Sequence, residues 1–308
     1  MPISIRGSVR NIAKGGGESM ERTTGRYKKR SQAQEVWRRF RRNKRAVAGL
    51  IMLIVLLLCA AFAGLIAPFD PNKQDLVNRC AVPSMEHWFG TDELGRDIFS
   101  RIIYGARISV SVGLIAVSIS LAGGVSLGAV AGYYGGASDN LIMRFMDILL
   151  AIPSILLNIA IVSALGTGLQ NVMIAIGISS IPGYCRIVRA SILSLKEQEF
   201  VEASRSAGAS DFFIITRHIL PNCIAPLTVQ ATLRIGSAIL SCASMSFIGL
   251  GIVPPTAEWG SMLSTGRDFI RNAPHLCTFP GAAIMYAIFA MNLIGDGLRD
   301  ALDPKLKD

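Results

Sequence analysis

The side chains able to do chemistry are few in this chain, and most of them stand alone. His87, His218 and His275 lack the spacing of a metal site, and the six cysteines form no C-x-x-C pair. No G-x-x-x-x-G-K-[ST] loop is present to cradle a nucleotide, no H-E-x-x-H helix, and no G-x-S-x-G elbow at a strand-to-helix turn. The sequence therefore assigns no catalytic residue, no metal ligand and no cofactor bound by this chain. Three features remain. Arg234 lies alone among apolar residues, where a guanidinium could offset a carboxylate in a low-dielectric path, or pair with a group on a neighbouring helix. Arg144 and Asp147, three apart, could form a local ion pair or a gating contact. The run Lys196 to Gly208, followed by Ile219-Leu-Pro-Asn222, is polar and amphipathic between two strongly apolar stretches, so it reads as a handle for a soluble partner.

Apolar segments must position these groups. The chain has 308 residues, of which 51% are hydrophobic, and a mean hydropathy of +0.45, too apolar for an ordinary soluble domain. Residues 46–67 carry no charge and can cross a bilayer core of about 30 Å at about 1.5 Å per residue. Residues 108–138 are also uncharged; 148–185 read as two spans joined at Gly166 to Asn171, and 221–247 and 276–295 complete the set. Backbone groups in lipid must be satisfied within each segment, and the period-two pattern of a barrel is absent, so the expected fold is an all-α integral membrane protein with six transmembrane helices.

Charge sets the expected orientation. Residues 1–45 hold 14 Lys/Arg against 3 Asp/Glu, while the remainder holds 17 against 18, so the overall +10 reflects a basic arm beside the first span rather than a nucleic-acid surface. With that arm inside, both termini are cytoplasmic, and 23 Lys/Arg lie inside against 7 outside. Residues 1–34 are expected to be a disordered basic cytoplasmic arm. Residues 35–45, with Trp37 and Phe40 among basic residues, suit an interfacial amphipathic helix against the lipid bilayer. Residues 46–308 form the six-helix domain, with an external segment over 68–107 and a cytoplasmic loop over 190–222.

Smaller expectations follow. The end of the external segment, 89–107, reads as an amphipathic helix with Asp97 and Arg101 as i, i+4 partners. Gly124, Gly128 and Gly132 share one face of the second span and let a neighbouring helix approach. Residues 247–263 are too broken by Gly and Pro to span and should fold over the outer face. Cys80 and Cys277, both on the oxidising side, could form a disulfide. In the polar loop, Phe200, Val201, Ala203, Phe212 and Ile215 are expected to anchor two short helices divided by Gly208.

Glu202-Ala203-Ser204, Gly208 and Ile219-Leu220-Pro221 resemble the EAA loop by which permease subunits of ATP-binding-cassette importers grip their ATPases. Ser204 replaces the second alanine, and His218 stands where the family has isoleucine. Phe89 to Arg107, Phe247 to Leu263 and Asn292 to Lys305 resemble hallmarks of dipeptide/oligopeptide permeases of the C-subunit type, so the resemblance covers residues 35 to 308. It implies a type I ABC importer permease bundle in a bacterial inner membrane, coupling through Glu202, Ala203, Ser204, Gly208, Ile219, Leu220 and Pro221. Implied partners are a second permease subunit, two ATP-binding-cassette ATPase subunits that carry ATP and Mg, and an external solute-binding protein. The cargo would be dipeptides, oligopeptides or a related peptide such as glutathione, with a nickel or metal-chelate importer as the alternative. A secondary transporter is the rival class, but no Asp or Glu lies mid-span to couple an ion.

Overall fold

The computed structural model describes residues 32–303. The arm expected over 1–34 lies outside the described residues as far as position 31, and its last three residues open a helix, α1 (Gln32–Arg42). Asn43 separates α1 from α2 (Lys44–Ala61): its backbone is extended, and its side chain caps α2 by accepting from the Arg45 and Ala46 amides. There follow α3 (Ile98–Tyr134), α4 (Gly136–Ala151), α5 (Ser154–Leu165), α6 (Leu169–Leu195), α7 (Glu199–Ser206), α8 (Asp211–Phe247), α9 (Trp259–Gly266) and α10 (His275–Leu302).

Helices α2, α3, α6, α8 and α10 are each long and apolar enough to cross a membrane. The expected third span is not one straight helix: α4 and α5 meet at 95°. Pro153 supplies the reason. It disfavours helical geometry in the residue before it, and Ile152 is accordingly extended (φ −89, ψ 126). At 12 residues, α5 is about 18 Å long, too short to cross alone.

Lipid contributes no hydrophobic force between helices, so close packing must hold the bundle. Gly124, Gly128 and Gly132 lie against α6: a Cβ on Gly128 would come within 2.6 Å of the Cys185 carbonyl oxygen, and one on Gly132 within 3.0 Å of Ile192 Cβ. The letters Gly124-Val-Ser126-Leu-Gly128 match G-x-S-x-G, but they lie mid-helix and form no elbow. Ser126 Oγ donates to the Ala122 carbonyl at 2.8 Å, which satisfies its hydroxyl without a partner helix.

One end of the bundle carries a folded lobe. Residues 89–97 are not the start of a helix; α3 begins at Ile98, and Asp97 is its cap, accepting from the Ser100 amide at 2.7 Å. That role turns Asp97 away from Arg101. Asp97 instead meets His87 Nδ1 at 2.9 Å, while Arg101 pairs with Asp92 at 3.4 Å and donates to the Pro71 carbonyl at 2.9 Å. Asp92 also holds Arg96 at 2.7 Å, so the turn is closed by buried charge pairs. Trp259 of α9, fully buried, packs on Gly105 and donates Nε1–H to the Ile102 carbonyl at 3.0 Å, laying residues 248–266 over the same end. Cys80 and Cys277 are both free thiols: Cys80 packs at the edge of the lobe core, and Cys277 Sγ lies 3.9 Å from the Leu263 carbonyl.

Candidate functional site

The opposite end of the bundle carries the polar loop, in a different form from the two short helices expected. Only α7 is a separate helix. After the turn at Gly208, Ser210 accepts from the Phe213 amide, and the chain enters α8 at Asp211, continuing without a break for 37 residues. Gly208 sits at φ +80 with nothing within 4 Å of a built Cβ, so the reversal rests on its backbone freedom and the turn is open to solvent. A widened π-type turn over Ile214–Ile219 precedes Pro221, whose missing N–H leaves the Arg217 carbonyl without its α-helical donor.

The burial pattern of the loop differs from expectation in its aromatics. Val201, Ile214 and Ile219 are fully buried in a core with Ile192, Val188, Tyr184 and Cys223. Burial outside the lipid stabilises by about 1.5–3 kcal/mol for each such side chain, so these three seat the loop. Phe200, Phe212 and Phe213 point outward instead, Phe212 being 76% exposed. The reason is register: Val201 alone of the α7 apolar residues lies on the bundle side, so Phe200 and Ala203 must lie off it. His218 is half-buried between the rings of Phe213 (centroids 5.5 Å apart) and Phe200 (6.4 Å). Glu202, Ala203 and Gly208 are exposed, Ser204 and Leu220 half-buried, Ile219 buried and Pro221 exposed. The loop thus offers three aromatic rings and a carboxylate on a base fixed by buried aliphatics.

Sequence reasoning missed the polar contacts that tie this loop to the bundle. Tyr133, in the last turn of α3, donates its hydroxyl to Asp211 Oδ1 at 2.7 Å, and Arg205 lies 5.8 Å over the Tyr133 ring. The hydroxyl holds the Arg205 guanidinium above its ordinary pKa. Arg189 of α6 makes a two-pronged pair with Asp139 of α4, at 2.5 and 2.6 Å. No sequence spacing joins Tyr133 to Asp211, which are 78 residues apart.

Asp147 pairs with Arg186 of α6 at 2.6 Å, not with Arg144, which has no ion-pair partner among the described residues. The inter-helix bond lets Asp147 join α4 to α6, which a pair within one helix would not do. Arg234 is half-buried, and its Nη2 would lie 3.2 Å from a Cβ at Gly183 of α6. The glycine leaves room for the guanidinium between α8 and α6. A cavity of about 680 Å³ opens at the loop end between α6, α8 and α10, lined by Asn222, Gln230, Leu233 and Arg299 among others; Arg234 itself is not in its wall. No group of three or more His, Cys, Asp or Glu among the described residues could hold a metal ion.

Known proteins match this arrangement. The family model described as binding-protein-dependent transport system inner membrane component matches residues 124–308, and that for the N-terminal TM domain of oligopeptide transport permease C matches 31–83. The dipeptide transport system permease protein DppC of Alkalihalophilus pseudofirmus is 51% identical over 274 residues, covering 89% of this chain and 90% of its own. The glutathione transport system permease protein GsiD of Escherichia coli O157:H7 is 52% identical over 279 residues, covering 90% and 92%. Among solved structures, an inward-facing conformation of the MetNI methionine ABC transporter aligns with a TM-score of 0.54 at 18% identity, over 67% of this chain and 98% of that one. That likeness speaks for the fold alone, a type I importer permease.

Proposed function

The chain belongs to the family of binding-protein-dependent transport system inner membrane components, and from that premise we propose that it forms half of the translocation path of an importer for short peptides. It is a multi-pass inner-membrane permease subunit of an ATP-binding-cassette importer, not an enzyme, and it works with ATPase and permease partners. In our reading those partners are a different permease subunit, two ATPase subunits that bind ATP and Mg, and an external solute-binding protein. Both termini and the α7 loop are cytoplasmic, and the lobe faces outward. Dipeptides and glutathione share a free carboxylate and a peptide bond, and the names of the two relatives at 51% and 52% identity support that substrate class.

The observation that carries the coupling role is the exposed face of α7 and the start of α8: Phe200, Glu202, Ala203, Phe212 and Phe213 around the Gly208 turn. ATP closes the ATPase dimer, and the docked loop moves with it. Because α8 continues from Asp211 to Phe247 through the π-type turn and past Pro221 and Pro226, that motion passes into the membrane along one helix. The chain transmits force and lines a path.

The test is reconstitution of the permease pair, ATPases and binding protein in proteoliposomes with labelled dipeptide and glutathione. ATP-dependent accumulation of either supports the proposal; uptake by this chain alone, without ATPases, overturns it. Phe212→Asp or Glu202→Lys should leave membrane insertion intact and cut ATPase copurification by roughly tenfold or more, the loss typical of a central interface residue.

A further inference from the structure

We infer that Tyr133, Arg205 and Asp211 form a polar clamp that carries movement of the coupling loop sideways into α3 and the α3–α4 corner, a second route beside the covalent continuity of α8. The inference rests on the coupling role proposed for the loop, and it joins Tyr133 of α3 to two loop residues that are not among the EAA-like letters.

Two parts of the loop meet on one ring. Asp211 opens α8 and accepts the Tyr133 hydroxyl at 2.7 Å. Arg205, in the last turn of α7, stands 5.8 Å over the same ring and places Nη2 3.5 Å from the same hydroxyl. A load applied to the outer face of α7 therefore reaches Tyr133 through Arg205, and one applied to the start of α8 reaches it through Asp211. The aromatic ring is half-locked already: Tyr133 is buried and meets Tyr134 edge-on at 5.3 Å.

The position of Tyr133 gives the clamp its reach. It lies two residues before Gly135, and Gly135 and Gly136, at φ +67 and +55 with open space around them, turn the chain from α3 into α4. Three residues beyond that joint, Asp139 is fastened to Arg189 of α6 by its two-pronged pair. The corner is thus pinned on both sides of a glycine joint, to the moving loop on one side and to α6 on the other. Displacing the loop turns the end of α3 about that joint, and α4 leads directly to the 95° bend at Ile152–Pro153. Apolar packing around Val201 resists separation, but hydrogen bonds with fixed donors and acceptors also fix direction, which transmission of a displacement requires. Tyr133, Arg205 and Asp211 are positioning residues; they touch neither ATP nor cargo.

The experiment measures peptide transported per ATP hydrolysed by the full reconstituted importer. Tyr133→Phe keeps the ring under Arg205 and deletes only the hydroxyl; Asp211→Ala deletes the acceptor, and Asp211→Asn keeps an acceptor oxygen. The expected result is that Tyr133→Phe and Asp211→Ala lower the ratio by roughly fivefold, within the span seen for mutations along coupling networks. Asp211→Asn should stay near wild type, and all three should keep complex yield and ATP hydrolysis. An unchanged ratio in Tyr133→Phe and Asp211→Ala overturns the clamp, as does a loss of transport that only follows loss of assembled complex. Phe212→Asp separates the two ideas. Normal ATPase copurification in that variant removes the coupling role and the clamp together, whereas lost copurification beside normal Tyr133→Phe transport removes the clamp alone.

Discussion

Glu258 shows how a single buried carboxylate can set local stability. Its two oxygens cap α9, accepting from the Gly260 and Ser261 amides at 2.9 and 2.8 Å, yet it is almost wholly buried in the lobe. Burial raises its pKa above the ordinary carboxylate value, and the two backbone bonds offset part of that rise. A raised folded pKa means that the folded lobe holds the proton more tightly than the unfolded chain. The stabilisation is full below the unfolded value, about 4.3, and is lost as pH rises through the folded value. Thermal unfolding of the complex between acid and neutral pH should show this slope in the wild type and lose it in Glu258→Gln, while Glu258→Ala should cost about 0.5–2 kcal/mol through the lost cap. Arg234 belongs to the same scale. It has no ion-pair partner among the described residues and leans over Gly183, so in our reading its charge meets the cargo carboxylate in transit. Arg234→Gln should lower uptake of free-carboxylate peptides several-fold, by roughly 1 kcal/mol or more, with assembly intact; unchanged uptake in proteoliposomes removes that role.

At the scale of elements, the interface between α3 and α6 follows from three glycines at every fourth position. Close backbone contact replaces the hydrophobic force that lipid cannot supply. Gly128→Leu would drive a side chain into the Cys185 carbonyl and Val188, where the obstacle is backbone and cannot swing aside. We expect it to destabilise the assembled complex by about 1–3 kcal/mol or more. Ser126→Leu, on the exposed face of the same helix, should be neutral in the same thermal-unfolding measurement.

For the whole molecule, the two ends are unlike: a lobe closed by buried charge pairs at one, and an aromatic-bearing loop and the paired ends of α1, α2 and α10 at the other. With the bent pair α4–α5 counted as one crossing there are six, an even number, so both described ends lie on the loop side. In the function proposed above, the basic arm marks that side as the cytoplasmic one. In intact cells an impermeant thiol reagent should label Met85→Cys, 96% exposed in the lobe, and should reach Ala203→Cys only after permeabilisation. Labelling of Ala203→Cys from outside would reverse the orientation.

Composition alone determined the membrane class, because uncharged runs of twenty or more residues have no soluble alternative. The glycine stripe was also legible, since it is read at short, fixed spacing along one helix, and the EAA-like letters at fixed spacing across the turn from α7 into α8. Helix starts were less so: the sequence put Asp97 inside a helix, paired with Arg101, whereas a capping carboxylate has an extended backbone and looks away from its own helix. Pro153 marks a break within its apolar run, but the 95° angle and the merging of the second loop helix into α8 are set by packing that no short spacing records. Long-range polar partners were beyond reach. Asp147 with Arg186, Asp139 with Arg189 and Tyr133 with Asp211 join residues 39 to 78 positions apart, and such pairs exist only once packed helices bring them together, because an isolated polar group near lipid takes whichever partner the fold places beside it.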